Sequence, residues 1–135
     1  MPPSESVQHV SVTILRTPED VYAFVANPEN LPRWAAGLST GIREKDGEWV
    51  ADSPMGPVKV RFAALNLLGV LDHDVVLPSG ETVHNPLRVV PNGTASELTF
   101  TLFHRPGMTE QQFAADAAAV QRDLHELKRL LEDRA

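Results

Sequence analysis

Three features of the 135-residue chain predict an α+β fold in which a seven-stranded curved antiparallel sheet is covered by one long C-terminal helix. Near the start, VQHVSVTI alternates Val10, Val12 and Ile14 with His9, Ser11 and Thr13, the period of a half-buried strand. Between Ser39 and Arg105, five turn signals divide the chain into short runs rich in branched and aromatic residues. At the end, Phe113, Ala117, Val120, Leu124, Leu127 and Leu131 recur at spacings of four and three, which sets them on one stripe of a helix. A stripe of that length must lie on something apolar, and the inner face of the sheet is the large surface on offer.

The elements follow in order. Thr17 suits an N-cap, Pro18 the first helical position and Asp20 the third after the cap, so a helix begins there and buries Val21, Phe24 and Val25. Asn27 followed by Pro28 repeats the signal, and Pro32 halts what forms, leaving two short helices that end near Trp34. The turns that follow are DG at Asp46, SPMGP from Ser53, NLLG from Asn66, PSG from Pro78 and NG at Asn92, which make six strands in an antiparallel meander. The long helix opens at Thr109, with Gln112 placed to complete a capping box and Met108 to staple against Phe113. Without a repeat, low-complexity run or linker, residues 1–135 are expected to form a single domain.

Composition removes several classes of function. The chain carries 12 basic and 18 acidic residues, a formal net charge of -6, and no basic cluster free of acidic neighbours, so no nucleic-acid partner is expected. The lack of cysteine rules out a disulfide framework and a thiolate zinc site. MPPSESVQHV has no basic region followed by an apolar run, and no stretch reaches the ~18 apolar residues that a membrane span needs. A cytoplasmic protein without a membrane span is the expectation. Asn92-Gly93-Thr94 matches a glycosylation acceptor but, with no secretory signal, reads as a turn.

The stretch VLDHDVVLPSGETVHNPLRV, residues 70–89, gathers Asp72, His73, Asp74, His84 and Asn85, and all but Asn85 are common metal-ligand types. Register decides whether they converge. Pro78 suits a type I turn and Gly80 a left-handed residue closing a three-residue loop, so Leu77 opposes Glu81, Val75 opposes Val83, His73 opposes Asn85 and Leu71 opposes Leu87. The NG turn then sets Leu87 against Leu98, Asn85 against Phe100 and Val83 against Leu102, while the NLLG loop sets Phe62 against His73 and Val60 against Val75. The apolar residues in these pairs all fall on one face. The other collects Lys59, Arg61, Asp72, Asp74, His84, Arg88 and Glu97, with Asp74 beside Arg61 and Arg88 beside Glu97. Since a one-residue slip would invert every side chain, the pattern sends Asp72, Asp74 and His84 away from His73, and no metal site is predicted.

What remains inside is a row of Phe62, His73, Asn85 and Phe100. A polar group left unpaired in such a layer costs about 1–3 kcal/mol. Either His73 and Asn85 bond each other as satisfied core residues, or they line a pocket and orient a bound molecule. The small Ala114, Ala117 and Ala118 favour unfilled volume toward Phe113, with Val120, Leu124, Leu127 and Leu131 filling the other half. Trp34 is a candidate for the pocket mouth, and His104 is expected in an exposed position there. The candidate ligand-binding set is therefore His73, Asn85, Phe62, Phe100, Trp34 and Phe113; no catalytic residue and no cofactor is assigned.

TPEDVYAFVANPENLPRWAAGL near the start, and GVLDHDVVLPSGETVHNPLRVVPNG followed by SELTFTLFHRPGM in the sheet, resemble the START/Bet v 1-like (SRPBCC) superfamily, and within it the polyketide cyclase/dehydrase-like proteins. The resemblance extends over nearly the whole chain. It implies the helix-grip fold and a deep pocket between sheet and helix, used across the superfamily for lipids, sterols, polyketides and other apolar molecules. It does not imply one activity, and no catalytic residue carries over. The leading expectation is a protein that binds a small, largely apolar molecule, lipid-like or polyketide-like. One alternative is a cyclase or dehydratase in which His73, oriented by Asn85, moves a proton, although the sequence offers no second acid–base partner. Another is a protein-interaction or chaperone-accessory module using the charged outer face. A homodimer is compatible with any of these.

Overall fold

The computed structural model describes residues 4–35 and 39–134. Strand β1 (Val7–Ile14) leads into helix α1 (Pro18–Val25), a 3-10 turn (Pro28–Asn30) and the short helix α2 (Leu31–Trp34). Strands β2 (Gly41–Lys45), β3 (Glu48–Ser53), β4 (Gly56–Phe62), β5 (His73–Val76), β6 (Thr82–Asn85), β7 (Leu87–Asn92) and β8 (Ala95–Phe103) follow, and α3 (Glu110–Glu132) closes the chain. This is the α+β helix-grip arrangement, with every adjacent strand pair antiparallel.

The caps form as their chemistry requires. The Thr17 side chain accepts from Asp20 N–H at 3.2 Å. At α3, Thr109 Oγ1 accepts from Gln112 N–H at 3.1 Å and Gln112 Oε1 from Thr109 N–H at 2.9 Å, satisfying donors that the first turn leaves open. The buried face of α3, which includes Ala117, Leu124, Leu127 and Leu131, belongs to the same core as Val10, Val12 and Ile14 of β1 and Val21, Phe24 and Val25 of α1.

The strand count differs from the sequence expectation: among the described residues eight strands, not seven, form two sheets in the orders β1-β8-β7 and β2-β3-β4-β5-β6. The division falls at Pro86. Thr101 N–H donates to Pro86 O at 3.0 Å, but proline has no N–H with which to return the bond, so the ladder with β8 stops there. The two sheets stay joined through Leu71 N–H to Leu87 O at 2.8 Å and Val89 N–H to Gly69 O at 3.0 Å.

Within the larger sheet the register matches the turn argument, with Phe62 opposite His73, Val60 opposite Val75, Val75 opposite Val83 and His73 opposite Asn85. The β7–β8 pair is shifted: Leu87 opposes Phe100 and Val89 opposes Leu98. The cause is local. Gly93 and Thr94, rather than Asn92 and Gly93, form the loop, and Gly93 takes φ 60° at its first position, where a type II′ turn calls for glycine. A two-residue shift keeps each side chain on its face but changes neighbours. Arg88 therefore meets Asp72 at 2.9 Å instead of Glu97. Arg61 opposes Asp74 along the backbone yet pairs with Glu48 at 2.9 Å, and Asp74 takes His84 at 2.6 Å.

Candidate functional site

His73 opens β5 on the inner face and is 3% exposed. The Phe62 ring lies 5.0 Å from its ring centroid and the Phe100 ring 6.1 Å away, edge-on. Its Nδ1 is 3.1 Å from the Leu71 carbonyl oxygen. A carbonyl can only accept, so Nδ1 carries the proton. Burial, the dominant influence, pushes the imidazole below its ordinary value, and the opposing effects of the Leu71 carbonyl and of Asp72 and Asp74 do not overcome it. The ring is neutral, and its Nε2 lone pair has no hydrogen-bond partner among the described residues.

A cavity of about 230 Å³ lies against this ring. Its wall is built by Leu31, Trp34 and Ala35 around α2, Met55 from the β3–β4 turn, His73 from β5, Asn85 from β6, Phe100 and Leu102 from β8, and Asp116, Ala119, Val120 and Asp123 from α3. Six of these are large apolar or aromatic side chains, and the polar groups are few and spaced around them.

Asn85 is the last residue of β6 and directly opposes His73. The two side chains do not bond each other, and the Asn85 amide has no partner among the described residues. Pro86 explains the separation from β8. Continued past Pro86, the β7–β8 register would set Asn85 against Leu102; instead the strand turns away and leaves a second recess of about 350 Å³. Asn85, Leu102 and Asp116 line both spaces.

Of the six residues singled out from the sequence, His73, Asn85, Phe100 and Trp34 come together at the cavity, whereas Phe62 and Phe113 are not among its lining residues. Phe62 packs on His73. Phe113 stacks on His104 at 4.8 Å, and His104, half-buried rather than exposed, places Nε2 2.6 Å from Met108 O. The cavity consequently faces the Asp116–Asp123 stretch of α3 and not the Phe113 end; Ala114 and Ala118 are exposed, and Val120 lines the space instead of filling it. Trp34 is a buried wall residue, 3% exposed, rather than a mouth residue, and its indole N–H has no partner among the described residues.

Sequence reasoning missed Asp116, Asp123, Met55 and Leu31. Asp116 and Asp123 lie one heptad apart and flank the Ala117, Val120, Leu124 stripe, a signal legible only once the stripe's margin is known to border a space. Burial pushes the Asp116 carboxyl above its ordinary value, with Arg105 acting against it. On the outer face, burial would raise Asp72, but the Arg88 guanidinium and the Leu87 N–H at 2.9 Å hold it below its ordinary value. Among the described residues no three of His, Asp or Glu converge as a cation site would require.

Residues 7–132 match a family model described as polyketide cyclase / dehydrase and lipid transport. No curated protein matches the sequence. Among solved structures, XoxI from Bacillus cereus superposes with a TM-score of 0.74 at 14% identity, over 95% of this chain and 96% of that one. The Aha1 dimer from Colwellia psychrerythraea gives 0.75 at 14% identity, over 95% and 97%. DynU16, a protein of the dynemicin biosynthetic locus, gives 0.72 at 17% identity over 97% of this chain and 48% of its own length. At such identities the likeness is one of fold.

Proposed function

Because the chain belongs to the polyketide cyclase/dehydrase and lipid transport family, we propose that it binds a small, largely apolar molecule, lipid-like or polyketide-like, in the cavity between the sheets and α3. The observation that carries this reading is the state of His73 and Asn85. Had they been satisfied core residues, their side chains would bond each other; His73 turns instead to the Leu71 carbonyl, leaving Nε2 and the Asn85 amide on a mostly apolar wall whose other polar groups are on α3. Covered by a ligand that offers no partner, each group would cost about 1–3 kcal/mol, so a ligand that meets them is favoured over one that does not. No helix among the described residues is long and apolar enough to cross a membrane, which agrees with a cytoplasmic binder.

Fluorescence titration with naphthalene tests the proposal. The wild-type protein should bind it saturably, and Ala119→Trp, which fills the wall from α3, should remove binding while leaving the circular dichroism spectrum unchanged. Equal binding by both proteins would assign the probe to another surface and reject the cavity.

A second reading, a cyclase- or dehydratase-type enzyme, is favoured by one observation: Asp116 lines the same cavity as His73 and supplies a second proton-transfer group. A neutral His73 Nε2 suits a base, and burial shifts the Asp116 carboxyl in the direction that an acid requires. Loss of water from the aldol of acetone and benzaldehyde, followed by absorbance of the conjugated enone, separates the readings. Turnover abolished by both His73→Gln and Asp116→Asn would make the protein an enzyme; no turnover above the uncatalysed rate would leave a binder.

A further inference from the structure

We propose that the molecule held in this cavity carries a hydroxyl group, phenolic or enolic, that donates its proton to His73 Nε2 and accepts one from the Asn85 amide. The inference rests on the binding reading above and narrows it to a chemical class.

Of the two imidazole nitrogens, Nδ1 is committed to the Leu71 carbonyl at 3.1 Å, and Phe62 and Phe100 pack against the ring at 5.0 and 6.1 Å, so this orientation is held from two sides. Nε2 is the nitrogen left over, on a ring that lines the cavity. With its proton on Nδ1, the imidazole offers only a lone pair there. Such a nitrogen is met by a donor and repelled by a carboxylate, a ketone or an ether.

Asn85 adds the second condition. It stands directly across from His73 on the neighbouring strand, and directly opposed residues have Cβ atoms about 4.5–5.5 Å apart. Its amide both donates and accepts, and neither function is used within the described residues. One ligand atom between the two side chains can therefore give a proton to Nε2 and receive one from the amide N–H. A hydroxyl oxygen does both. A carbonyl oxygen satisfies Asn85 alone, and an apolar ligand satisfies neither, leaving buried polar groups unmet. The apolar part of the remaining wall, which includes Leu31, Phe100, Leu102 and Val120, suits the carbon skeleton that bears the hydroxyl.

Matched probes of nearly one shape test this: 2-naphthol, 2-methoxynaphthalene and 2-naphthoate, titrated against the wild-type protein, His73→Leu and Asn85→Leu. The wild type should bind the naphthol on the order of ten-fold more tightly than its methyl ether, and the naphthoate most weakly, as expected for one placed hydrogen bond. His73→Leu should bind naphthol and ether alike at about the wild-type ether affinity, and Asn85→Leu should show a reduced preference. Naphthol and ether bound equally by the wild type, or a preference that survives in His73→Leu, overturns the hydroxyl assignment and leaves the cavity reading standing. Failure of the wild type to bind any of the three rejects the cavity reading, and this inference with it. The nitrogen-15 resonance of His73 Nε2 in the wild-type protein gives a readout that needs no variant: it should move toward the hydrogen-bonded range with naphthol and stay in place with the ether, and the reverse would overturn the proposal.

Discussion

His73 and Asn85 are directly opposed across β5 and β6, yet their side chains do not bond each other; His73 closes instead on the carbonyl of Leu71, two residues back along its own chain. The inner polar row is thus two separate groups facing one space. They share no hydrogen bond through which the loss of one would strand the other. His73→Leu and Asn85→Leu should accordingly change unfolding free energy nearly additively, with a coupling below about 0.5 kcal/mol in a double-mutant cycle. A coupling above about 1 kcal/mol would mean that the pair is closed in solution.

Stability should depend on pH through His73. Its native pKa lies below the ordinary 6.5 because the ring is buried, so as pH falls below 6.5 the unfolded chain takes up a proton that the native state refuses. The protein loses stability in that window by up to about 1.4 kcal/mol per pH unit, and the loss ends once the native pKa is passed. Asp116 acts in the opposite sense at lower pH: its native pKa is above the ordinary 3.8, so the native state takes up its proton first and gains stability as pH falls toward 3.8. Chemical unfolding of wild type and His73→Leu at pH 7 and pH 5 isolates the histidine contribution. The variant should lose less stability between the two, and parallel losses would show that His73 titrates normally.

Pro86 keeps the two sheets apart and Asn85 away from β8. Pro86→Ala supplies an N–H in reach of the Thr101 carbonyl, reciprocating the 3.0 Å bond that Thr101 N–H already makes to residue 86. The ladder should extend toward Asn85 and Leu102, narrowing the recess they line. We expect slower amide exchange around residues 84–86 and several-fold weaker binding of naphthalene. Unchanged exchange there would mean that something other than the missing donor holds the strand open.

The join between the sheets depends on Gly69. Its φ is +74°, and a Cβ added there would lie 2.2 Å from the Val89 carbonyl oxygen, the backbone that Gly69 bridges. Gly69→Ala must both adopt a strained backbone and push β7 away. The strain alone costs roughly 1–3 kcal/mol. Thermal unfolding should therefore show a clearly lowered midpoint; an unchanged midpoint would mean that the loop rearranges without disturbing β7.

Much of this molecule was legible before any coordinate, because it depends on periods shorter than a turn or two of chain. Strand parity and the Pro78 turn suffice to send His73 inward and Asp74 and His84 outward, and the Thr109 box suffices to start α3. The resemblance carried the helix-grip arrangement, which strand and helix patterning alone supports only as a class.

Tertiary structure decided what lies between faces. Pro86 was visible in the sequence as a residue that cannot donate, but whether the strand would bend there depended on β8 being its neighbour. The NG stretch could turn at either of two positions, and the choice moved Arg88 from Glu97 to Asp72. On α3 the period of the apolar stripe identifies the buried face, but not how far the helix stands from the sheet at each turn. That distance, set by where Leu124, Leu127 and Leu131 pack into the core, is what leaves Asp116 and Asp123 bordering a cavity and Phe113 stacked on His104 outside it. A sequence encodes which side of an element is apolar; the gap between two apolar sides exists only after every other contact has fixed their separation.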